Sequence, residues 1–167
     1  MNENTMTIIE VSTEDQIAII ESLAREIWTE HYVPIIGKKQ VDYMLAGYQS
    51  KQAVKEQIAS GVLYFLIKEG RAFIGYIAVQ PRGEELFLSK IYLQSSRRAK
   101  GYGKKAVQFV ETLARKRGLR KIVLTVNKNN TGAIRAYEKI GFKTVGSLVQ
   151  DIGGGFVMDD YAMEKTV

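Results

Sequence analysis

The 167-residue chain has no cysteine, two prolines and one histidine. Each scarcity excludes something. Without cysteine there is no disulfide framework, no thiolate metal site and no cysteine nucleophile. So few prolines, with no low-complexity run and no shift in composition, leave no linker, and no internal repeat with a period of about 20 to 50 residues is visible. Residues 1–167 therefore read as one domain, long enough to bury a full core. No apolar run approaches the roughly 20 residues needed to cross a bilayer, and the opening MNENTMTIIE lacks the basic start and apolar core of a signal peptide. A cytoplasmic protein without a membrane partner is expected. Positive charge, by contrast, is plentiful: 24 Lys and Arg against 18 Asp and Glu, a net +6. That balance favours an anionic partner, but does not separate nucleic acid, a phosphate-bearing cofactor and plain solubility.

Hydrophobic periodicity divides the chain into elements. TMTIIEV reads as a strand, followed by a helix in STEDQIAIIESLAREIWTEHY, where Ile17, Ile20, Ala24, Ile27 and Trp28 recur at helical spacing. Ser12 or Thr13 can cap it, with Gln16 completing a capping box if Thr13 takes the role. Two shorter helices follow, over 38–47 and 51–59. Then the period changes to that of strands in VLYFLIKE, AFIGYIAVQ and LFLSKIYLQ, separated by turn residues to form a meander. A helix over 102–117 buries Val107, Val110, Leu113 and Ala114 and stops at Gly118. KIVLTVN is a strand, NTGAIRAYEKIG a helix, and FKTVGSLVQ and GFVMDDYAMEK a closing hairpin. The order predicts an α/β (α+β) domain around one mixed sheet.

Between the meander and the helix at 102 lies the densest charge: Arg97, Arg98, Lys100, Lys104 and Lys105 surround Gly101 and Gly103. A helix start already carries a positive dipole, so cations there require an anion. The letters Gly101-Tyr102-Gly103-Lys104-Lys105-Ala106 satisfy a dinucleotide fingerprint, but the context does not. Six residues separate Gln94 from Gly101, and the next strand ends in Asn127 with no acidic residue for a ribose. A Walker loop is absent. What remains is a loop of backbone N–H groups suited to a pyrophosphate, or a solvated basic turn.

Two motifs decide between these. Arg98-Ala99-Lys100-Gly101-Tyr102-Gly103 resembles the R/Q-x-x-G-x-G/A loop of the Gcn5-related N-acetyltransferases. LTVNKNNTGAIRAYEKIGF is similar to the same superfamily's second signature through Asn130, Ala133, Tyr137 and Gly141-Phe142. The resemblance covers residues 62–146 and implies a central mixed, mostly antiparallel sheet flanked by helices, in which the strand at 86–94 bulges and splays from that at 121–127. It further implies that acetyl-CoA lies in the gap. Its pantetheine would pair with the strand around Ile91, Tyr92 and Leu93, and its pyrophosphate would sit on Arg98, Ala99, Lys100, Gly101, Tyr102, Gly103 and Lys104. Asn130, Ala133 and Tyr137 would border the arm. Arg97, Lys104 and Lys105 are candidates for the 3′-phosphate.

The implied reaction is direct transfer of acetyl to a primary amine, with the bacterial polyamine and small-amine acetyltransferases the most similar group. Tyr137 is the expected acid for the departing thiolate, as the family's tyrosine is. The amine must first lose a proton, since its pKa near 10.4 keeps it charged. Relatives often use a carboxylate on the meander's last strand, where this chain reads Ser89-Lys90, so the base stays open among Glu84, Glu85 and His31, with Glu26, Glu30, Trp28 and Tyr32 nearby. Asp151, Asp159 and Asp160 on the closing hairpin could attract a cationic amine, although Asp151 before three glycines reads as readily as a turn residue. Acetylation of a protein N-terminus or lysine, an acetyl-CoA sensor, and a nucleic-acid module using the basic surface are the competing readings; the last lacks a recognised motif, and no nucleic-acid partner is expected. No metal is expected, and the resemblance carries homodimer formation as one state.

Overall fold

The computed structural model describes residues 5–97 and 101–167. Its elements run in the order β1 (Met6–Glu10), α1 (Glu14–Ile36), α2 (Lys38–Tyr48), α3 (Lys51–Ala59), β2 (Leu63–Glu69), β3 (Ala72–Arg82) and β4 (Glu85–Leu93). After one 3-10 turn come α4 (Tyr102–Lys116), β5 (Lys121–Asn127), α5 (Thr131–Ile140), β6 (Lys143–Gly153) and β7 (Phe156–Thr166). The seven strands form one sheet in the order β1-β2-β3-β4-β5-β7-β6, antiparallel throughout except between β4 and β5. This is the expected α/β (α+β) architecture, a mostly antiparallel mixed sheet with helices on both faces.

Local chemistry explains most of the boundaries. Thr13 caps α1 with a complete capping box: the Gln16 N–H donates to its hydroxyl at 3.2 Å, and its own N–H donates to Gln16 Oε1 at 3.0 Å. The helix runs four residues beyond Tyr32, carrying Pro34 in its last turn, where the missing N–H removes one bond near an end that comes at Gly37 in any case. Gly37 has φ 88°, a conformation that glycine reaches without steric cost, and it turns the chain directly into α2. β3 likewise extends past Gln80 to Arg82, with Pro81 one residue from its end, where a lost donor matters little.

Strand alternation sorts the core into two layers. Tyr64, Leu66, Tyr76 and Ala78 pack beneath α1 to α3, against Ile20, Ala24, Ile27 and Trp28. Phe65, Ile67, Ile77 and Val79 face α4, which buries Ala106, Val107, Val110 and Ala114. Each fully buried aliphatic side chain contributes about 1.5–3 kcal/mol.

The regular ladder breaks at one place in β4. Ala78 pairs with Lys90 but Val79 with Leu88, so Ser89 is an extra residue, a bulge in that strand. Pairing between β4 and β5 is confined to Glu85 with Lys121, Leu86 with Ile122 and Phe87 with Val123. Beyond Phe87 the two strands part.

Candidate active site

The parting strands open into a cavity of about 780 Å³. Its walls come from α1 and α2 on one side, α5 on the other, and the β6–β7 hairpin beyond β5. The Gln94 N–H donates to the Ile74 carbonyl at 2.8 Å, so strand alternation aims the backbone groups of Tyr92 at β3 as well. The Tyr92 carbonyl lies so close that a Cβ at Gly75 would stand 2.2 Å from it, which accounts for glycine there. Ile91 aims its N–H and C=O groups the other way, into the gap, and Leu93 follows on the same phase at the cavity wall. An extended chain with amide groups can therefore lie along β4 as an added strand.

At the open end stands the start of α4. Gly101 caps the helix with φ 79° and no side-chain bond, and its first turn holds no acidic residue. The first N–H groups of a helix lack internal partners. Gly103 lines the cavity, and a Cβ added to it would meet nothing within 4 Å. Lys104 and Lys105 are exposed on the same turn. This end of the cavity suits an anion on electrostatic grounds. The expected contacts at Arg98, Ala99 and Lys100 lie outside the described residues.

Two expected phosphate ligands have other engagements. The Arg97 guanidinium and the Tyr102 hydroxyl both donate to the carboxylate of Glu69, the buried last residue of β2. The Tyr102 ring is buried in the α4 core, which leaves its backbone N–H as the group facing the helix start. Glu69 thus clamps the segment on either side of residues 98–100. Nothing local in the sequence announces it, because its partners lie 28 and 33 residues away.

Helix α5 presents Ala133 and Tyr137 to the cavity at a spacing of four, while Ile134 and Ile140 pack against the α4-side core. The Tyr137 ring meets Phe142 edge-on at 5.5 Å. Burial, followed by the neighbouring Tyr32, pushes its phenol well above the usual range, so it keeps its proton at neutral pH. Asn130, the N-cap residue of α5, is buried, and its Oδ1 accepts from Nε2 of His31 at 3.2 Å. The hydroxyls of Tyr32 and Tyr92 share a hydrogen bond at 3.1 Å within a cluster of edge-on rings that includes Trp28. The Tyr92 side chain thus faces the α1–α2 layer rather than the gap.

The base candidates separate cleanly. Glu84 is exposed at the β3–β4 turn, and Glu85 pairs with Lys121 at 3.3 Å; neither lines the cavity. Glu26 accepts from Gln94 Nε2 at 3.0 Å and Glu30 from Ser95 Oγ at 2.6 Å, tying α1 to the segment after β4. Of the three aspartates on the hairpin, Asp151 accepts from the Gly153 N–H at 2.8 Å as a turn residue, and Asp159 pairs with Lys128 at 2.9 Å. Asp160 alone lines the cavity; it is 2% exposed, and its buried Oδ1 has no hydrogen-bond partner among the described residues. Burial, then the nearby Asp159, raises its pKa.

Lys90 also lines the cavity, half-buried, donating from Nζ to Ser89 Oγ at 3.0 Å. Burial lowers its pKa to about 8. The sequence did carry a signal for it: LFLSKIYLQ sets one charged residue in a mostly apolar strand, where a cation cannot always reach water. No group of three or more His, Asp or Glu suited to a metal occurs among the described residues.

Fold, splayed strands and paired motifs together define a class, and the family comparison agrees: the acetyltransferase (GNAT) family model matches residues 20–142. The chain belongs to the GNAT family of acetyltransferases. It is 26% identical over 166 residues to a spermidine N(1)-acetyltransferase of Thermoplasma acidophilum, spanning 96% of this chain and 97% of that one. The PaiA N-acetyltransferase of the same organism, solved in complex with coenzyme A, shares the fold at a TM-score of 0.78 with 23% identity, over 98% of this chain and 99% of that one. A GCN5-related N-acetyltransferase from Rhodopseudomonas palustris superposes at a TM-score of 0.81 with 14% identity, over 100% and 99% of the two chains. Among the described residues no helix is long and apolar enough to cross a membrane.

Proposed function

We propose that the protein transfers the acetyl group of acetyl-CoA to a primary amine of a small, cationic molecule, with polyamines the favoured class. The observation that carries this reading is the orphaned, buried Oδ1 of Asp160 in a cavity that adjoins the β4–β5 gap. A buried carboxylate oxygen without a hydrogen-bond partner calls for a donor, and an ammonium supplies both donor and charge. The name of the Thermoplasma spermidine acetyltransferase points the same way.

The residues fit the co-substrate. Backbone groups of Ile91 and Leu93 pair with the amides of the pantetheine arm, Asn130 and Ala133 border it, and the N–H groups of Gly101 to Lys104 meet the pyrophosphate. Once the arm is in place, the thioester and an amine held by Asp160 meet in line, which removes much of the entropic barrier. The amine nitrogen attacks the carbonyl, the C–S bond breaks, and Tyr137 gives its proton to the departing sulfur. No covalent enzyme intermediate is needed.

A small acceptor is favoured over a protein by the way the acceptor side is closed. Gln40 Nε2 donates to the Val157 carbonyl at 2.9 Å, and Tyr43 Oη to the Ile152 carbonyl at 2.8 Å, fastening α2 to the β6–β7 hairpin. The test is thiol release from acetyl-CoA across spermidine, spermine, monoamines, amino acids and short peptides. The absence of cysteine removes any protein background. Turnover confined to peptides would replace the small-molecule reading with protein acetylation.

A further inference from the structure

Lys90 is a charged residue of the cavity to which substrate binding by Asp160 and proton donation by Tyr137 give no part. It comes directly after the bulged Ser89 on β4 and pairs across the ladder with Ala78, so it sits on the sheet face covered by α1 to α3. That is the face of Tyr92, two residues on, and the side from which the acceptor arrives. None of the ion pairs among the described residues involves it; its hydrogen bond is to Ser89 Oγ at 3.0 Å. A lysine so placed has lost water without gaining a counter-charge, which favours the neutral amine.

The gap also limits where the acetyl group can stop, given the acetyl-transfer reading on which this inference rests. The arm enters beside the start of α4, beyond Leu93, and runs toward Phe87, where pairing with Val123 closes the gap. Its thioester end therefore comes to rest beside residues 89–91. Lys90 stands between that point and the acceptor pocket.

We propose that Lys90, as the neutral amine, is the proton acceptor of the reaction, taking the proton that the acceptor's ammonium must lose before its nitrogen can attack. Asp160 then holds the substrate and Lys90 deprotonates it. The proton passes from R–NH3+ to Nζ, leaving R–NH2 and a charged Lys90. The new N–C bond forms as the C–S bond breaks; the thiolate takes the Tyr137 proton, and the second proton of the amine nitrogen restores the phenol. Lys90 releases its proton to water, so that one amide, one thiol and one proton result. A permanently charged group at this position would repel the ammonium that Asp160 attracts, whereas the neutral amine does not. The lowered pKa, about 8, places that form within reach of neutral pH.

Several other groups that change or carry charge share the cavity. His31 and Tyr32 enter from α1, Tyr48 from α2, Tyr137 from α5 and Asp160 from β7; Arg82 of β3 is always charged, and Tyr92 shares the strand. Burial raises the phenols of Tyr92 and Tyr137, which stay protonated across the range of interest. A pH limb caused by His31 would survive replacement of Lys90.

The test is kcat/KM against pH for wild type, Lys90→Met and Lys90→Arg with the best amine acceptor. Wild type should rise through about pH 8, Lys90→Met should lose that limb together with about 100-fold in kcat, and Lys90→Arg should be no faster than Lys90→Met. An unchanged limb in Lys90→Met, or recovery of rate by Lys90→Arg, overturns the proposal while leaving acetyl transfer intact. Trace labelling of the full chain with acetic anhydride, read by mass spectrometry, reports Lys90 directly: titration near 8 supports the role, and titration at the ordinary lysine value of about 10.4 removes it. A folded wild type that turns over no amine ends the acetyl-transfer reading and this role together.

Discussion

Nε2 of His31, near the C-terminal end of α1, lies 3.2 Å from Oδ1 of Asn130, the N-cap residue of α5, and so joins two helices that line the cavity. The residues are 99 positions apart in sequence. Their bond is a support for the site as well as a part of its wall. His31→Ala and Asn130→Ala should each cost about 1–2 kcal/mol, and the double variant should cost less than the sum by about 1 kcal/mol. Thermal unfolding of the three variants checks this, and strict additivity would deny the link.

In the proposed reaction Tyr137, a buried phenol lining the cavity, gives up its proton late. Tyr137→Phe keeps the ring against Phe142 and removes only the hydroxyl, so the expected loss is about 100-fold in kcat with KM for acetyl-CoA nearly unchanged. Steady-state kinetics with saturating amine separates the two. A loss confined to KM would make Tyr137 a binding residue.

Asp160 should trade stability for substrate binding. Its folded-state pKa is raised by burial, so the unfolded chain releases the proton first as pH climbs past the ordinary aspartate value of about 3.9. The stability present below that value is lost as pH rises through the folded pKa. Asp160→Asn should therefore melt higher than wild type near neutral pH, with the gain fading as the pH approaches about 4. The same substitution should raise KM for cationic amines about 10-fold or more. Melting curves at several pH values and amine titrations measure both effects.

Glu69 holds Arg97 and Tyr102, which flank residues 98–100. Glu69→Ala leaves both donors without their acceptor and should cost about 3 kcal/mol in stability, as broken buried pairs do. It should also weaken acetyl-CoA binding, because the loop before α4 loses its anchor. Calorimetric titration with acetyl-CoA on the folded variant tests the second point; an unchanged Kd would confine Glu69 to stability.

The division between what was legible in the sequence and what was not tracks interaction range. The Thr13 capping box, the strand periods and the amphipathic face of α4 are written within a few residues, and each appears where its pattern lies. The ends of α1 and β3 were harder to read, because Pro34 and Pro81 ordinarily signal a stop, yet each falls near enough to an end for the lost N–H to cost little. The sequence marked Asp151, before three glycines, as readily a turn residue, but it did not separate Asp159 from Asp160; the hairpin's register and the Lys128 pair did. Lys90 and Glu69 gain their significance from burial and from partners or surfaces far along the chain. For Glu69 no local pattern encodes that, whereas for Lys90 the sequence shows a lone cation among apolar neighbours but not the cavity it enters.

Direct acetyl transfer to an amine is the central claim. Its most direct measurement is incubation of the protein with spermidine and acetyl-CoA labelled in the acetyl group, followed by mass spectrometry of the amine and of the intact protein. Label on the amine in proportion to CoA released, with none retained by the protein, is the predicted result. CoA release with label on the protein would contradict direct transfer, and binding of acetyl-CoA without transfer to any amine would contradict the enzyme itself.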